Sequence, residues 1–530
     1  MLKSLPLKKL EWSTLILSIC FSFFMCSGYI YDKGVSGALG QHRYLTIFVF
    51  VCLTVCFYLL IKWLGGKELN RTEIKPVVWK VLPLILFLGW LPFLINFYPG
   101  SFSYDAAHQI RQFFHDEPLS NHNPVLDTWI FGILFKIGRF VTGGDNSAIT
   151  FMVTFQMLLM AFTFTYGLYQ GYQLTHSRGF VYVSAAFYAA IPQFGFAAHA
   201  VLKDSLHMPI VVFMIACQVS LLRKPTKFKC ILYGLSVILV SLTRAMAVLY
   251  AGIGCVVFLL YFWKKKMALR KMVAAVVITA LAFVFLWENV FLNAIGVEKY
   301  PSVEKYAMPL FQIGYIVVNH DLTEEETDII NSFLDVDLIR EKYDPDLVDQ
   351  IKFMYHGDST EPLWKIYRTW WKKYPGDMLR GFGRSYYKYI YPFSIGSRNS
   401  RLVVVNLSDI GIHTHSDRNK TRKQAIKDFL NMSWAKYAFL KLFYGPALYL
   451  WIFLFGLQQC IRKRSRNIIH LIPLLILFIG LFLTPVNGEM RYTYPIFASV
   501  PLVIAMAYEV VEKTACLDSA ERIENGTSES

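Results

Sequence analysis

Apolar stretches of about 20 residues, each enough to carry a helix across roughly 30 Å of hydrocarbon, recur along most of this chain. Of its 530 residues, 55% are hydrophobic and only 17% charged. Lipid admits only backbones that satisfy their own hydrogen bonds, and helical runs of this length do so. The chain therefore reads as an all-α polytopic membrane protein. The candidate stretches are 12–31, 44–64, 78–97, 124–141, 147–173, 178–197, 206–222, 228–243, 246–263, 268–292, 437–460, 467–485 and 491–512. The first follows Lys3, Lys8 and Lys9 and has the charge order of a signal peptide. Its apolar run is too long for one and no small-residue cleavage site follows, so a retained anchor is expected.

The net charge of +16 would suggest nucleic acid in a soluble protein. Here the basic residues cluster in short loops beside the apolar stretches, which is the positive-inside pattern, and no nucleic-acid partner is expected. The nine cysteines lie in or next to apolar segments and none has metal-ligand spacing. They point to neither a metal nor a catalytic thiol.

Basic loops also set sidedness. Lys3, Lys8 and Lys9 place the N-terminus inside, and Lys67, Arg71 and Lys75 place the second loop inside. Stretch 78–97 then exits to the outside. Arg223, Lys224, Lys227 and Lys229 belong inside, as do the lysines at 264–266 with Arg270 and Lys271, and the basic run 462–466. An odd number of crossings must join residue 122 to residue 223, yet four candidates lie between them. The stretch 124–141 is the weakest, being short, headed by Pro124 and charged at Asp127, Lys136 and Arg139. It is expected to lie in the outer leaflet as an amphipathic segment. Twelve crossings remain, with both termini cytoplasmic.

This count places three charged clusters on the outer face. "PGSFSYDAAHQIRQFFHDEPLSNHNP" (99–124) is the first, "HAVLKDSLH" (199–207) the second and "TPVNGEMR" (484–491) the third. His199, Lys203, Asp204 and His207 then face the same compartment as Asp105. The long polar region 293–436 is also placed outside. Within it, Thr323 and Glu326 have the spacing of a helix capping box, and "WKIYRTWWKKYPGDMLRGFGRSYYKYIYPF" has the aromatic and basic mixture that favours a headgroup layer. The tail after Lys513 is polar and expected to be disordered.

Each charged residue has a plain reading and a chemical one. Asp105 either caps a helix starting near Ala106 or serves as a general base or metal ligand at the bilayer surface. His108, three residues on, can orient it or face solvent. His122 belongs to a cluster of turn-forming residues before Pro124. With Asp127 it also suggests a metal, though without specific spacing, and His108, His122 and Asp127 are candidate substrate contacts. Asp127 lies one turn into an apolar helix, where an unpaired carboxylate is costly, so a partner or a polar cavity is expected. Lys203 and Asp204 are either an ion pair or an anion site. Arg244 either snorkels from a span boundary or binds phosphate, which its fork geometry suits. Glu489, Arg491, Tyr492 and Tyr494 head the last apolar stretch, where Arg491 is either an interfacial anchor or a headgroup-phosphate ligand. No Walker loop, dinucleotide fingerprint, zinc-protease or nucleophile-elbow motif is present. An enzyme built this way would take its energy from an activated substrate delivered through the membrane.

Taken together, "SYDAAHQI", "NPVLDTWIFGILFKIG", "LKDSL" and "RYTYP" resemble the GT-C superfamily of integral membrane glycosyltransferases. That superfamily includes oligosaccharyltransferases, protein O-mannosyltransferases and lipid A aminoarabinose transferases. "PGSFSYD…LSNHNPVLDT", "MPLFQIGYIV" and "PVNGEMRYTYP" look more closely like an uncharacterised bacterial family of that architecture. The superfamily likeness starts near Val77. It implies a two-helix N-terminal module (1–76), a GT-C-like core (77–292) with an outer catalytic loop (98–146), and a membrane-associated outer domain (293–436). A three-helix segment (437–513) and a tail (514–530) complete the chain.

The resemblance also implies a bacterial cytoplasmic-membrane enzyme with a polyprenyl-phosphate-linked sugar donor and a cell-envelope glycan or polymer as acceptor. Asp105 matches the superfamily's first-loop acid, a general base or a ligand of a divalent metal ion. Lys203 and Asp204 match its second-loop site loosely, and Arg491 matches the basic residue that meets the donor phosphate. Ala106 departs from the Asp-Glu pair of several relatives. A polysaccharide polymerase or ligase, and a lipid or glycan transporter, are the alternatives.

Overall fold

The structure is a computed structural model describing residues 11–34, 43–102, 104–263, 267–299, 302–357, 359–394, 405, 407–414 and 442–510. The basic residues at 3, 8, 9 and 264–266 and the tail 514–530, on which expectations were placed, lie outside the described residues, as does most of 395–441. The described residues are 78% helical, and the chain is an all-α membrane protein.

The apolar stretches form helices near the expected positions. In order they are α1 (Trp12–Lys33), α2 (Arg43–Gly65), α3 (Val77–Asn96), the short α4 (Tyr104–Phe113), α5 (Val125–Thr142) and α6 (Asp145–Thr175). Next come α7 (Arg178–Ala190), α8 (Pro192–His199), α9 (Lys203–Arg223), α10 (Lys227–Leu242), α11 (Ala247–Trp263) and α12 (Met267–Ala294). Among the described residues, α1, α2, α3, α6, α9 and α12 are long and apolar enough to cross a membrane, and α7 with α8 makes a seventh if the bent pair is one span. α11 is apolar but shorter. α5, the stretch expected not to cross, is not in this set.

One expected span is broken. Stretch 178–197 bends by 57° between α7 and α8. Pro192 lacks the N–H that would continue the ladder and drives Ile191 into extended backbone.

The bundle is arranged by how each helix meets lipid. α6 and α9 sit at its centre, and α9 is buried on all sides. α2 exposes Leu45, Ile47, Phe48, Val51 and Leu59, a surface that requires hydrocarbon around it. At one end of the bundle the basic loops are tied together. The Thr72 N–H donates to the His176 carbonyl at 2.8 Å, Arg462 to the Gly65 carbonyl at 2.5 Å, and Lys463 to the Ala507 carbonyl at 2.6 Å. Arg223 and Lys224 close α9 at that same end.

The polar region folds into helices with a core of their own. These are α13 (Ala307–Asn319), α14 (Glu324–Asn331), α15 (Val336–Lys342), α16 (Asp349–Met354), α17 (Glu361–Lys373) and α18 (Pro375–Ile390). Leu310, Ile313, Phe333, Ile339, Leu363 and Trp370 fill that core. The expected capping box at Thr323 and Glu326 is present. The Glu326 carboxylate also accepts from the Trp370 indole N–H at 2.9 Å and from Lys373 at 2.8 Å. The chain then re-enters the bundle as α19 (Ala447–Arg462), α20 (Ile468–Leu481) and α21 (Tyr494–Ala507). α19 and α20 are, like α11, apolar but short.

Burial opposes ionisation of Glu326, but the Lys373, Thr323 and Trp370 hydrogen bonds outweigh it and bring its carboxyl down to about 2. A depressed carboxyl stabilises the fold above its unfolded pKa and loses that contribution as pH falls toward the folded value. Glu326→Gln is therefore expected to cost about 2 kcal/mol near neutrality. Its deficit relative to wild type should shrink between about pH 4.5 and 2, measured by thermal unfolding in detergent across that range.

Candidate functional site

At the end of the bundle opposite the basic loops, two short strands pair in parallel. β1 (Ser101–Phe102) lies beside β2 (Ala200–Val201), with Ser101 opposite Ala200 and Phe102 opposite Val201. Gly100 permits the approach. Its φ is +119°, and a β-carbon there would lie 2.6 Å from Val153 and 2.9 Å from the His199 carbonyl. The Gln156 carboxamide, on α6, donates to the carbonyls of Ala197, Ala198 and Ala200 at 2.9–3.1 Å. β1 leads into α4 and β2 into α9. Asp105, three residues beyond β1, and Lys203, two beyond β2, therefore start adjacent helices.

The third cluster joins them from the turn before α21. Arg491 Nη1 donates to Asp105 Oδ2 at 3.2 Å, and both side chains are about one-third exposed. Glu489 lies 3.8 Å from Arg491 Nε. Lys203 Nζ donates to Asn123 Oδ1 at 2.8 Å and to the His122 carbonyl at 3.4 Å. Arg244, at the end of α10, forms an ion pair with the buried Asp204. The Arg244 and Arg491 guanidiniums both adjoin the Tyr492 ring, at 5.3 and 5.4 Å from its centre. Asp105, His122, Lys203, Asp204, Arg244 and Arg491 thus meet at one end of the bundle.

Burial by itself would push Asp105 up. The Lys203, Arg491 and His122 charges and the Arg491 hydrogen bond outweigh it, and the carboxyl lies below its ordinary range. Asp105 is an ionised carboxylate facing cations.

Several expectations are corrected. Asp105 lies within the first turn of α4, which begins at Tyr104, so it does not cap a helix starting near Ala106. His108 does not orient it but pairs with Glu117 at 2.9 Å. Asp204 pairs with Arg244, not with its neighbour Lys203. His199 and His207 do not face outward. His199 is buried against Phe97, its Nδ1 2.9 Å from the Gly195 carbonyl. His207 is buried between Thr243, at 2.7 Å, and the Tyr250 hydroxyl. Both occupy helix faces turned inward by packing, which loop charge does not report.

Asp127 was expected to have a partner or a polar cavity. It is fully buried in α5 and neither carboxylate oxygen has a hydrogen-bond partner among the described residues. Burial pushes it far above the ordinary range, against the pull of Lys203 and Arg244. Burial thus disfavours its charged form, the opposite of what the cations do at Asp105.

Sequence reasoning passed over the residues that hold the others. Asn487 was read only as turn chemistry. It is fully buried, and its side chain donates to Asp346 Oδ1 and the Arg384 carbonyl, each at 2.9 Å. It also accepts from the Lys388 N–H at 2.9 Å. Lys388 in turn pairs with Asp346 at 2.6 Å. Together these bonds fasten the 485–491 turn to α18 and to the loop before α16. A buried Asn beside a Gly with φ of +73° has no signature separating a clasp from an ordinary turn. Asn487→Ala removes three partly buried hydrogen bonds and is expected to cost about 3 kcal/mol, read as a lower melting temperature of the full-length protein in detergent.

A divalent metal does not fit this arrangement. Among the described residues no three His, Cys, Asp or Glu side chains come together to hold one, and Asp105 faces cations that would repel it. The surroundings suit an anion.

No curated protein matches this chain significantly, and neither does any solved structure. The sequence pattern of a family of unknown function, DUF6020, matches residues 114–522. That span covers α5 through α21 and, of the site residues, all but Asp105 and His108; the chain is a member of the DUF6020 family.

Proposed function

We propose that this protein is a membrane glycosyltransferase that moves a sugar from a polyprenyl-phosphate donor to a cell-envelope acceptor on the extracytoplasmic side of a bacterial membrane. The observation that carries the reading is the Asp105–Arg491 pair, one-third exposed, with Lys203 beside it and the bundle beneath. A carboxylate and two cations at the lipid boundary are what transfer from a lipid-borne glycosyl phosphate requires. The separation of this site from the basic loops supports an outward-facing site under the positive-inside rule. Twelve crossings with both termini cytoplasmic belong to the same proposal, with α5 lying along the outer leaflet.

The chemistry is a single displacement. The acceptor oxygen attacks the anomeric carbon and its proton passes to Asp105. The carbon–oxygen bond to phosphate breaks, and the electron pair stays on the phosphate oxygen, opposite Arg491 and Lys203. Before the donor arrives, Lys203 and Arg491 together hold Asp105 ionised and so weakly basic. A phosphate that takes Arg491 from Asp105 relieves that pull and makes the carboxylate a stronger base. Arg244 stays bound to Asp204 and fixes the Tyr492 wall of the site.

The test uses full-length protein in liposomes, supplied with radiolabelled sugars on undecaprenyl phosphate. Asp105→Asn should lower transfer by about 100-fold or more, the scale of a lost general base, with insertion and folding unchanged. Arg491→Met should act mainly through a higher donor KM. Near-normal transfer by Asp105→Asn would remove Asp105 from the chemistry. Wild-type protein that transfers only glycans carried on pyrophosphate would favour a polymerase or ligase.

A further inference from the structure

Of the three cations at the site, two lie in ion-pair contact with a carboxylate. Arg244 is bonded to Asp204, and Arg491 to Asp105 with Glu489 close by. Lys203 differs. Among the described residues it makes no ion pair, and its ammonium donates to two neutral oxygens, Asn123 Oδ1 at 2.8 Å and the His122 carbonyl at 3.4 Å. Asn123 is itself only 3% exposed. It is followed by Pro124, which restricts its backbone to extended conformations, and then by the start of α5. Its buried carboxamide oxygen is the nearest acceptor of the Lys203 ammonium.

We propose that Asn123 is a positioning residue that holds Lys203 in the site through a neutral acceptor, keeping the lysine's charge available to the anionic group of the substrate. The inference rests on the glycosyl-phosphate reading above and adds to it a residue that touches no reacting atom. An amide orients an ammonium by its dipole and leaves the net charge in place. A carboxylate at the same point would orient it equally well and cancel that charge. The two side chains have nearly the same shape, so Asn123→Asp separates a charge-keeping role from a merely structural one.

The experiment measures binding of undecaprenyl phosphate to the full-length protein in detergent by intrinsic tryptophan fluorescence. Asn123→Asp should weaken binding by about tenfold or more and reduce its salt dependence. Asn123→Ser, which keeps a neutral acceptor, should weaken it less than Asp. In a Lys203→Met background the Asp substitution should have little further effect.

Asn123→Asp protein that binds as wild type overturns the proposal, as does an equal loss in the Lys203→Met background. Should the Asp variant fail to fold, the Ala and Ser variants decide. Loss in Ala with retention in Ser supports the role, and Ala binding as wild type overturns it. Wild-type protein that does not bind the probe removes the glycosyl-phosphate reading itself, and this proposal with it, a result distinct from a tolerated Asp.

Discussion

Two residues of parallel pairing, β1 on β2, set the geometry on which the site depends. They join chain segments about a hundred residues apart and place the first turns of α4 and α9 side by side. Main-chain pairing this short has little stability of its own. It persists because Gln156 ties three carbonyls around β2, because Gly100 lets the strands approach, and because both strands are buried. The break at Pro192 contributes as well, since a straight helix through 178–199 would not deliver β2 to β1 from this direction.

Around that frame the charges sort by accessibility. Arg244 and Asp204 lie inward, where removing either would leave a buried uncompensated charge. Asp105 and Arg491 lie outward, one-third exposed, where an incoming anion can compete for the guanidinium without unfolding anything. Lys203 stands between the two sets, held by neutral oxygens. Asp127 is close enough to feel both Lys203 and Arg244 yet bonds to neither, and burial pushes its carboxyl upward. Carboxyls of the same type are thus shifted in opposite directions according to depth and partner.

The helical unit between α12 and α19 has its own core and reaches the site through the 485–491 turn. Asn487, Asp346 and Lys388 fasten that turn, and Arg491 follows four residues after the clasp. The position of Arg491 is therefore set jointly by the bundle, through α21, and by this unit, through Asn487.

The sequence by itself determined the helical membrane class, because unbroken apolar runs near 20 residues leave the backbone no other common solution in lipid. It also determined most helix limits to within a few residues (for the expected stretch 437–460 the helix runs Ala447–Arg462), the capping box at Thr323, and the charged stretches around Asp105, Lys203 and Arg491, which loop charge placed on one face. These are local or additive properties, readable in a window of residues. The tertiary structure alone decided the partners: Asp204 with Arg244, His108 with Glu117, Lys203 with Asn123, and Asp127 with none among the described residues. It also turned His199 and His207 inward and bent the span at Pro192. Partnership between residues tens to hundreds of positions apart depends on how helices pack and on a two-residue strand pairing made of main-chain bonds. Neither leaves a periodic trace in composition or charge.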